Sequence, residues 1–238
     1  MQDLAIKMTQ LLVSLSLLIG AAEYYQLKNK ILSLLPENKK KFFWFFLLCL
    51  PLSVVLSAYD SKFTVLVLFN LILGAYLFDG TFNGGSDYMN FLIIAALTCY
   101  AFSANEMLQK ICIFYIGVQA ALSYAVAGVS KILKPDWRNG KNLYKIINKS
   151  HYLIPETIRK KPIRKFNFYT LLSWLVMLTE IGLVLGFFNL KIGVILIVCF
   201  LIFHLINVLT LGLNRFFFAW LASYPSLLFC FYVVQLKH

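Results

Sequence analysis

Long apolar segments constrain the fold of this chain more than any other feature. Eight of them follow one another, at residues 4–25, 42–59, 63–78, 90–104, 107–133, 168–188, 193–211 and 216–234. A helix needs about 20 mainly apolar residues to cross a bilayer, and the segments lack the alternation typical of a membrane β-strand. The sequence therefore predicts an all-α, polytopic transmembrane helical bundle of about eight spans, with residues 1–238 as one membrane domain.

The charged residues are few and mostly basic. The chain carries 22 Lys and Arg against 10 Asp and Glu, a net charge of +12, yet only 13% of its residues are charged. A soluble domain has about 25% charged residues, so this chain is not a soluble basic protein. We therefore expect no nucleic-acid partner. The basic residues instead predict cytoplasmic loops that contact anionic membrane lipids. Eleven of the 22 lie between residues 131 and 165. With eight spans, this connection and the basic loop at 28–41 lie on the same side of the membrane.

The long basic connection has a helical pattern of its own. Its apolar residues and its lysines alternate at helical spacing, at Leu143, Ile146 and Ile147 on one side and Lys141, Lys145 and Lys149 on the other. Such a pattern is typical of an amphipathic helix that lies on the membrane surface. We therefore predict an interfacial helix after the fifth span, ended by Pro155 and Pro162.

Several polar residues lie inside the apolar segments. Glu180 is deep within the sixth segment, where an isolated carboxylate is very costly, so it is expected to be protonated or paired. His204 and Asn207, three residues apart in the seventh segment, share one helix face. The spacing is compatible with a shared polar site and with simple interhelical hydrogen bonds. Both interpretations remain open at this stage.

Lys131 lies where the fifth apolar segment meets a polar loop, in the sequence YAVAGVSKILKPDWRNG at 124–140. A lysine at such an edge either extends its ammonium group to water or, when desolvated, acts as a base. Asp136, five residues further on, is either a surface partner or a helix cap. The residues alone leave these alternatives open.

The sequence gives no sign of a metal site. Its five cysteines all lie in apolar segments and none forms a CxxC pair, which indicates buried thiols. Phosphate-binding, dinucleotide-binding and hydrolase motifs are absent as well. We therefore expect no bound metal.

A series of short motifs resembles a known family. In order they are AGVSK at 127–131, DWRNG at 136–140, Trp174 with Glu180, HLIN at 204–207 and FAWLASYPSLLF at 218–229. This series is similar to the membrane domain of vitamin K-dependent γ-glutamyl carboxylase and to the horizontally transferred transmembrane (HTTM) family of bacteria. The resemblance covers residues 83–229.

The resemblance implies roles for individual residues. Lys131 matches the carboxylase base that takes a proton from vitamin K hydroquinone, whose oxygenation then allows a glutamate side chain to lose a proton and add carbon dioxide. His204 and Asn207 match a catalytic His-x-x-Asn pair. The positions that match the pocket for a quinol or substrate are Glu180, Asp136, Trp137, Gly140 and Asp87. Asp87 lies in segment 83–92, where the carboxylase has a functional histidine.

Short members of the family resemble the maturation proteins of sporulation-delaying peptide toxins of bacteria. The resemblance therefore implies a multi-pass protein of the bacterial inner membrane that modifies or matures a secreted peptide or protein with a quinol. The alternative functions are a non-catalytic maturation factor or partner of a peptide toxin, a small transporter and a scaffold.

Overall fold

The computed structural model describes residues 1–80, 84–149 and 166–236. In these ranges the chain folds into helices joined by short turns. The α-helices are α1 (Gln2–Gln26), α2 (Lys28–Leu34), α3 (Glu37–Tyr59), α4 (Thr64–Leu77), α5 (Gly85–Phe102), α6 (Glu106–Ile132), α7 (Pro135–Arg138), α8 (Lys141–Lys149), α9 (Phe166–Gly182), α10 (Leu190–Leu211), α11 (Asn214–Leu221) and α12 (Tyr224–Gln235). Two short 3₁₀ helices occur at Ser61–Phe63 and Leu183–Phe187. The predicted all-α class is confirmed for these ranges.

Within the described ranges, six helical segments are long and apolar enough to cross a membrane. They are Gln2–Gln26, Glu37–Tyr59, Glu106–Ile132, Phe168–Phe187, Leu190–Leu209 and Asn214–Gln235. The chain is thus a multi-pass membrane protein by length and composition. The third predicted segment forms α4, whose 14 residues reach only about 21 Å at 1.5 Å per residue, against a hydrocarbon core of about 30 Å. The fourth forms α5, which is not among the six segments that are long and apolar enough to span. The count of eight therefore stays a prediction.

The chain divides into two compact units. Unit 1 comprises Met1–Gly117 and Asn214–Phe229, and unit 2 comprises Val118–Leu213 and Cys230–His238. The prediction of one membrane domain stays a prediction.

Unit 1 is built around an aromatic core. Helix α1 packs against α3, α5 and α11, and α4 packs between α3 and α5. The rings of Tyr24 and Phe78 stack with centroids 5.5 Å apart, and Phe46 meets Tyr24 edge-on at 5.3 Å. On the outward side of α3, Leu48 and Leu52 are exposed. Exposed leucines of this kind are what a lipid-facing helix surface requires.

Glycines allow close packing in unit 2. Gly186 and Gly193 both lie against the ring of Phe231, where a Cβ atom on either glycine would come within 2.4 and 2.6 Å of the ring. The side chain of Asn189 caps α10 by accepting from the backbone N–H groups of Lys191 and Ile192. Small residues at contacts are how membrane helices approach one another without a hydrophobic driving force.

Helix α8 occupies the place where the sequence predicts an amphipathic helix. Leu143 is buried, Ile147 is half-buried, and Lys145 and Ile146 are exposed. That this helix rests on the membrane surface stays a prediction. The predicted breaks at Pro155 and Pro162 lie outside the described residues, as does the second part of the basic connection, residues 150–165.

Candidate functional site

Lys131 and Glu180 form an ion pair inside unit 2. Lys131 is in the last turn of α6, and its ammonium donates a hydrogen bond to Oε1 of Glu180 on α9. The side chain of Glu180 is only 6% exposed, whereas that of Lys131 is 21% exposed. The sequence expectation that Glu180 is protonated or paired therefore has a structural counterpart, since it has a cationic partner.

A glycine makes the pair possible by bringing α6 close to α9. Gly128 lies one turn before Lys131 on the same helix face. A Cβ atom at this position would lie 2.7 Å from Cγ1 of Ile181 and 3.0 Å from the carbonyl oxygen of Met177. The two helices thus meet backbone to side chain at Gly128, and this contact sets the distance that the Lys131 ammonium has to cover.

His204 is held by a tyrosine that the sequence analysis did not single out. The hydroxyl of Tyr124 and Nε2 of His204 lie 2.6 Å apart, and His204 is buried. The ring of Phe200, one turn before His204 on α10, packs against Tyr124 at a tilt of 33°, with centroids 4.2 Å apart. Tyr124 is seven residues before Lys131, so the two share a face of α6. That spacing is the signal that could have identified Tyr124.

The two polar pairs act on each other. The charge of Lys131 interacts electrostatically with His204. Unit 2 therefore places a lysine, a glutamate, a histidine and a tyrosine on neighbouring faces of α6, α9 and α10. Asn207 follows His204 by one turn and is half-buried.

The turn after α6 folds back onto α9. The ammonium of Lys131 lies 5.4 Å from the centre of the Trp137 ring, a distance typical of a cation–π contact. The carbonyl oxygen of Trp137 accepts a hydrogen bond of 2.6 Å from Ser173. Gly140 has φ 75°, and a Cβ atom there would lie 2.5 Å from the backbone nitrogen of Thr170. Only glycine fits this turn.

Asp136 is directed towards α8. Its Oδ2 lies 3.9 Å from both the Lys141 and the Lys145 ammonium groups, and the side chains are half-exposed. Of the two alternatives for Asp136, the structure favours a surface partner of these lysines. At this exposure such pairs contribute little to stability.

Asp87, the remaining predicted pocket residue, belongs to unit 1. It accepts a hydrogen bond from Nη2 of Arg215, which also donates to the Tyr24 hydroxyl at 3.1 Å. Nη1 of Arg215 lies 3.7 Å from Oε2 of Glu23. The sequence analysis missed Arg215, because it lies immediately before the apolar segment 216–234. Only the tertiary structure shows that Arg215 is buried and lies beside the carboxylates of Asp87 and Glu23.

No group of three or more His, Cys, Asp or Glu side chains in the described ranges is arranged to hold a metal ion. Comparison with known proteins gives no match for this chain among protein-family models, curated proteins or solved structures.

Proposed function

We propose that this chain is a carboxylase-like membrane enzyme of the HTTM family. It takes a proton from a lipid-soluble quinol with Lys131 as the base, and so modifies or matures a secreted peptide or protein. The observation that carries this proposal is the Lys131–Glu180 pair on two facing membrane helices, beside the hydrogen bond between Tyr124 and His204. Four groups that exchange protons are thereby collected in one part of unit 2.

The ion pair gives Lys131 a route to its basic form. When the proton moves from Nζ of Lys131 to Oε1 of Glu180, the result is a neutral amine and a neutral carboxylic acid. A medium of low dielectric constant favours neutral over charged groups. The amine then accepts a proton from a hydroxyl group at Nζ, and the ammonium that forms stabilises the negative charge left behind.

The residues present fit a hydroxyl-bearing ligand. Oε2 of Glu180 is buried and has no hydrogen bond to any other described residue. An unpaired buried acceptor of this kind is satisfied by a hydroxyl donor. Vitamin K hydroquinone or another quinol supplies an acidic hydroxyl group when bound. Trp137, beside Lys131, offers a flat apolar surface for a ring.

The same proposal includes an arrangement of the chain in the membrane. The chain has eight spans in the bacterial inner membrane, with α4 and α5 as short or tilted members. Helix α8 lies at the membrane surface, and its lysines contact anionic lipid headgroups. A quinol then enters sideways from the bilayer.

The second candidate function is non-catalytic: a maturation factor or partner of a secreted peptide toxin, or a small transporter or scaffold. The ion pair also supports this alternative, because a lysine–glutamate contact between α6 and α9 can be purely structural. In this case Lys131 has to remain charged, whereas the enzyme requires it to lose its proton.

Lys131→Arg separates the two candidates. Arginine keeps the positive charge and the pairing with Glu180, but it does not deprotonate in proteins. We expect Lys131→Arg to remain folded and to lose the modification. The measurement is mass spectrometry of the peptides secreted by strains that express each form, with protein levels determined in the same membranes. If Lys131→Arg supports the wild-type peptide pattern, the base role is wrong and the non-catalytic function is favoured.

A further inference from the structure

A partly open cavity of about 200 Å³ lies in unit 1, and none of its lining residues is used as a base in the proposed function. Its wall is largely aromatic and apolar. The aromatic members are Tyr24, Phe46, Phe78, Tyr88 and Phe91. An apolar cavity of about 150 Å³ binds benzene, so this one has room for a single ring with a small substituent. We call it the aromatic cavity.

One polar group at the aromatic cavity is an acceptor that lacks a donor. Asn90 lines the cavity and is 1% exposed. Its Nδ2 donates to Oγ of Ser16 at 3.0 Å, and the Ser16 hydroxyl in turn donates to the Arg215 carbonyl oxygen at 3.5 Å. In this arrangement the amide nitrogen of Asn90 is turned towards Ser16. Oδ1 of Asn90 is left buried with no hydrogen bond among the described residues.

The charges that line the cavity cancel. Arg215 and Asp87 both line it and are bonded to each other. An anionic ligand would meet the Asp87 carboxylate, and a cationic ligand would meet the Arg215 guanidinium. Either contact would place like charges side by side, and an uncharged ligand avoids that cost.

A residue that lines the cavity also has an available donor. Nη1 of Arg215 has no hydrogen bond within the described part of the chain and lies 3.7 Å from the carboxylate of Glu23. A hydroxyl group can donate one hydrogen bond and accept others. It therefore complements both the acceptor on Asn90 and the donor on Arg215.

We propose that the aromatic cavity is a binding site for an uncharged ring compound that carries a hydroxyl group. The hydroxyl donates to Oδ1 of Asn90 and accepts from Arg215, and the ring lies against the aromatic wall. This site goes beyond the proposed function and does not rest on Lys131. Its failure would leave the role of Lys131 untouched.

The test uses the full chain in lipid nanodiscs and fluorine NMR of four small probes. They are para-fluorophenol, para-fluorotoluene, para-fluorobenzoate and para-fluorobenzylammonium, each corrected for partition into empty nanodiscs. We expect saturable binding of the phenol, with the toluene weaker by about five- to tenfold, the worth of roughly one hydrogen bond. The two charged probes are expected to bind more weakly than the phenol.

A matched pair of variants locates the site. Asn90→Leu removes the unpaired acceptor and is expected to weaken binding of the phenol by about five- to tenfold. Asn70→Leu is the control, because Asn70 is also a buried asparagine with an unpaired Oδ1 but does not line the cavity. It is expected to bind the phenol as the wild type does.

Four outcomes overturn the proposal. They are no saturable binding of any probe by the wild type, equal binding of toluene and phenol, tighter binding of a charged probe, and equal weakening by the two variants. The first three need no variant, so the proposal can fail even if Asn90→Leu does not fold.

Discussion

The Lys131–Glu180 pair predicts an asymmetric double-mutant cycle. In Lys131→Met, the carboxylate of Glu180 loses its partner at 6% exposure and cannot reach water, so the expected loss of stability is about 3–5 kcal/mol. In Glu180→Leu, the remaining Lys131 is more exposed than Glu180 is in the wild type, and it lies in the last turn of its helix. It can extend to the headgroup region, so the expected loss is about 1–2 kcal/mol.

The double variant Lys131→Met/Glu180→Leu replaces both charges by apolar groups. It is expected to be within about 1 kcal/mol of the wild type, because a buried ion pair contributes little over a well-packed apolar pair. The single losses then exceed the loss of the double variant by a coupling energy of at least about 3 kcal/mol.

Reversible unfolding in mixed micelles, followed by circular dichroism against denaturing detergent, measures all four proteins. Lys134→Met, which removes an exposed lysine three residues on, is the control and is expected to match the wild type. Single variants whose losses simply add in the double variant would refute the reasoning. A folded double variant without peptide modification would also show that the pair has a chemical role in addition to a structural one.

Two further predictions concern Gly140 and Lys39. Gly140→Ala is expected to lose about 3 kcal/mol or more, since it combines a positive φ with a clash against the next helix. Gly84→Ala, with a positive φ but open space, should lose less, about 1–3 kcal/mol. Equal losses of the two variants would contradict the clash. Lys39→Met removes a buried ammonium that donates to Asp79 and to carbonyl groups at the end of α4. It should lose about 1–3 kcal/mol, whereas Lys40→Met breaks only an exposed pair and should lose under about 1 kcal/mol. Thermal unfolding in the same micelles measures each.

The sequence was informative about local patterns in the candidate site. It identified Lys131, Glu180 and His204 as unusual, because a polar residue in a long apolar segment is visible without any structure. A pocket role for Asp136, Trp137 and Gly140 was inferred only through the resemblance. The local turn geometry now explains the need for glycine at position 140.

The side chains that pair with these residues could not be predicted from the sequence in the same way. Glu180 is 49 residues from Lys131, and Tyr124 is 80 residues from His204. A helical period shows which residues share a face, but not which other helix that face meets. Gly128 illustrates the point, since nothing local separates it from an ordinary glycine in a membrane helix.

The sequence by itself therefore determined the class of this protein: apolar segments in lipid have to form helices, because each backbone polar group must be satisfied within its own segment. It also determined where charge is scarce and thus significant. Only the tertiary structure decided how those charges are compensated, with Lys131 on Glu180 in unit 2 and Arg215 on Asp87 in unit 1. The physical reason is that hydropathy is a property of each segment alone, whereas ion pairing depends on the distance between atoms on different helices.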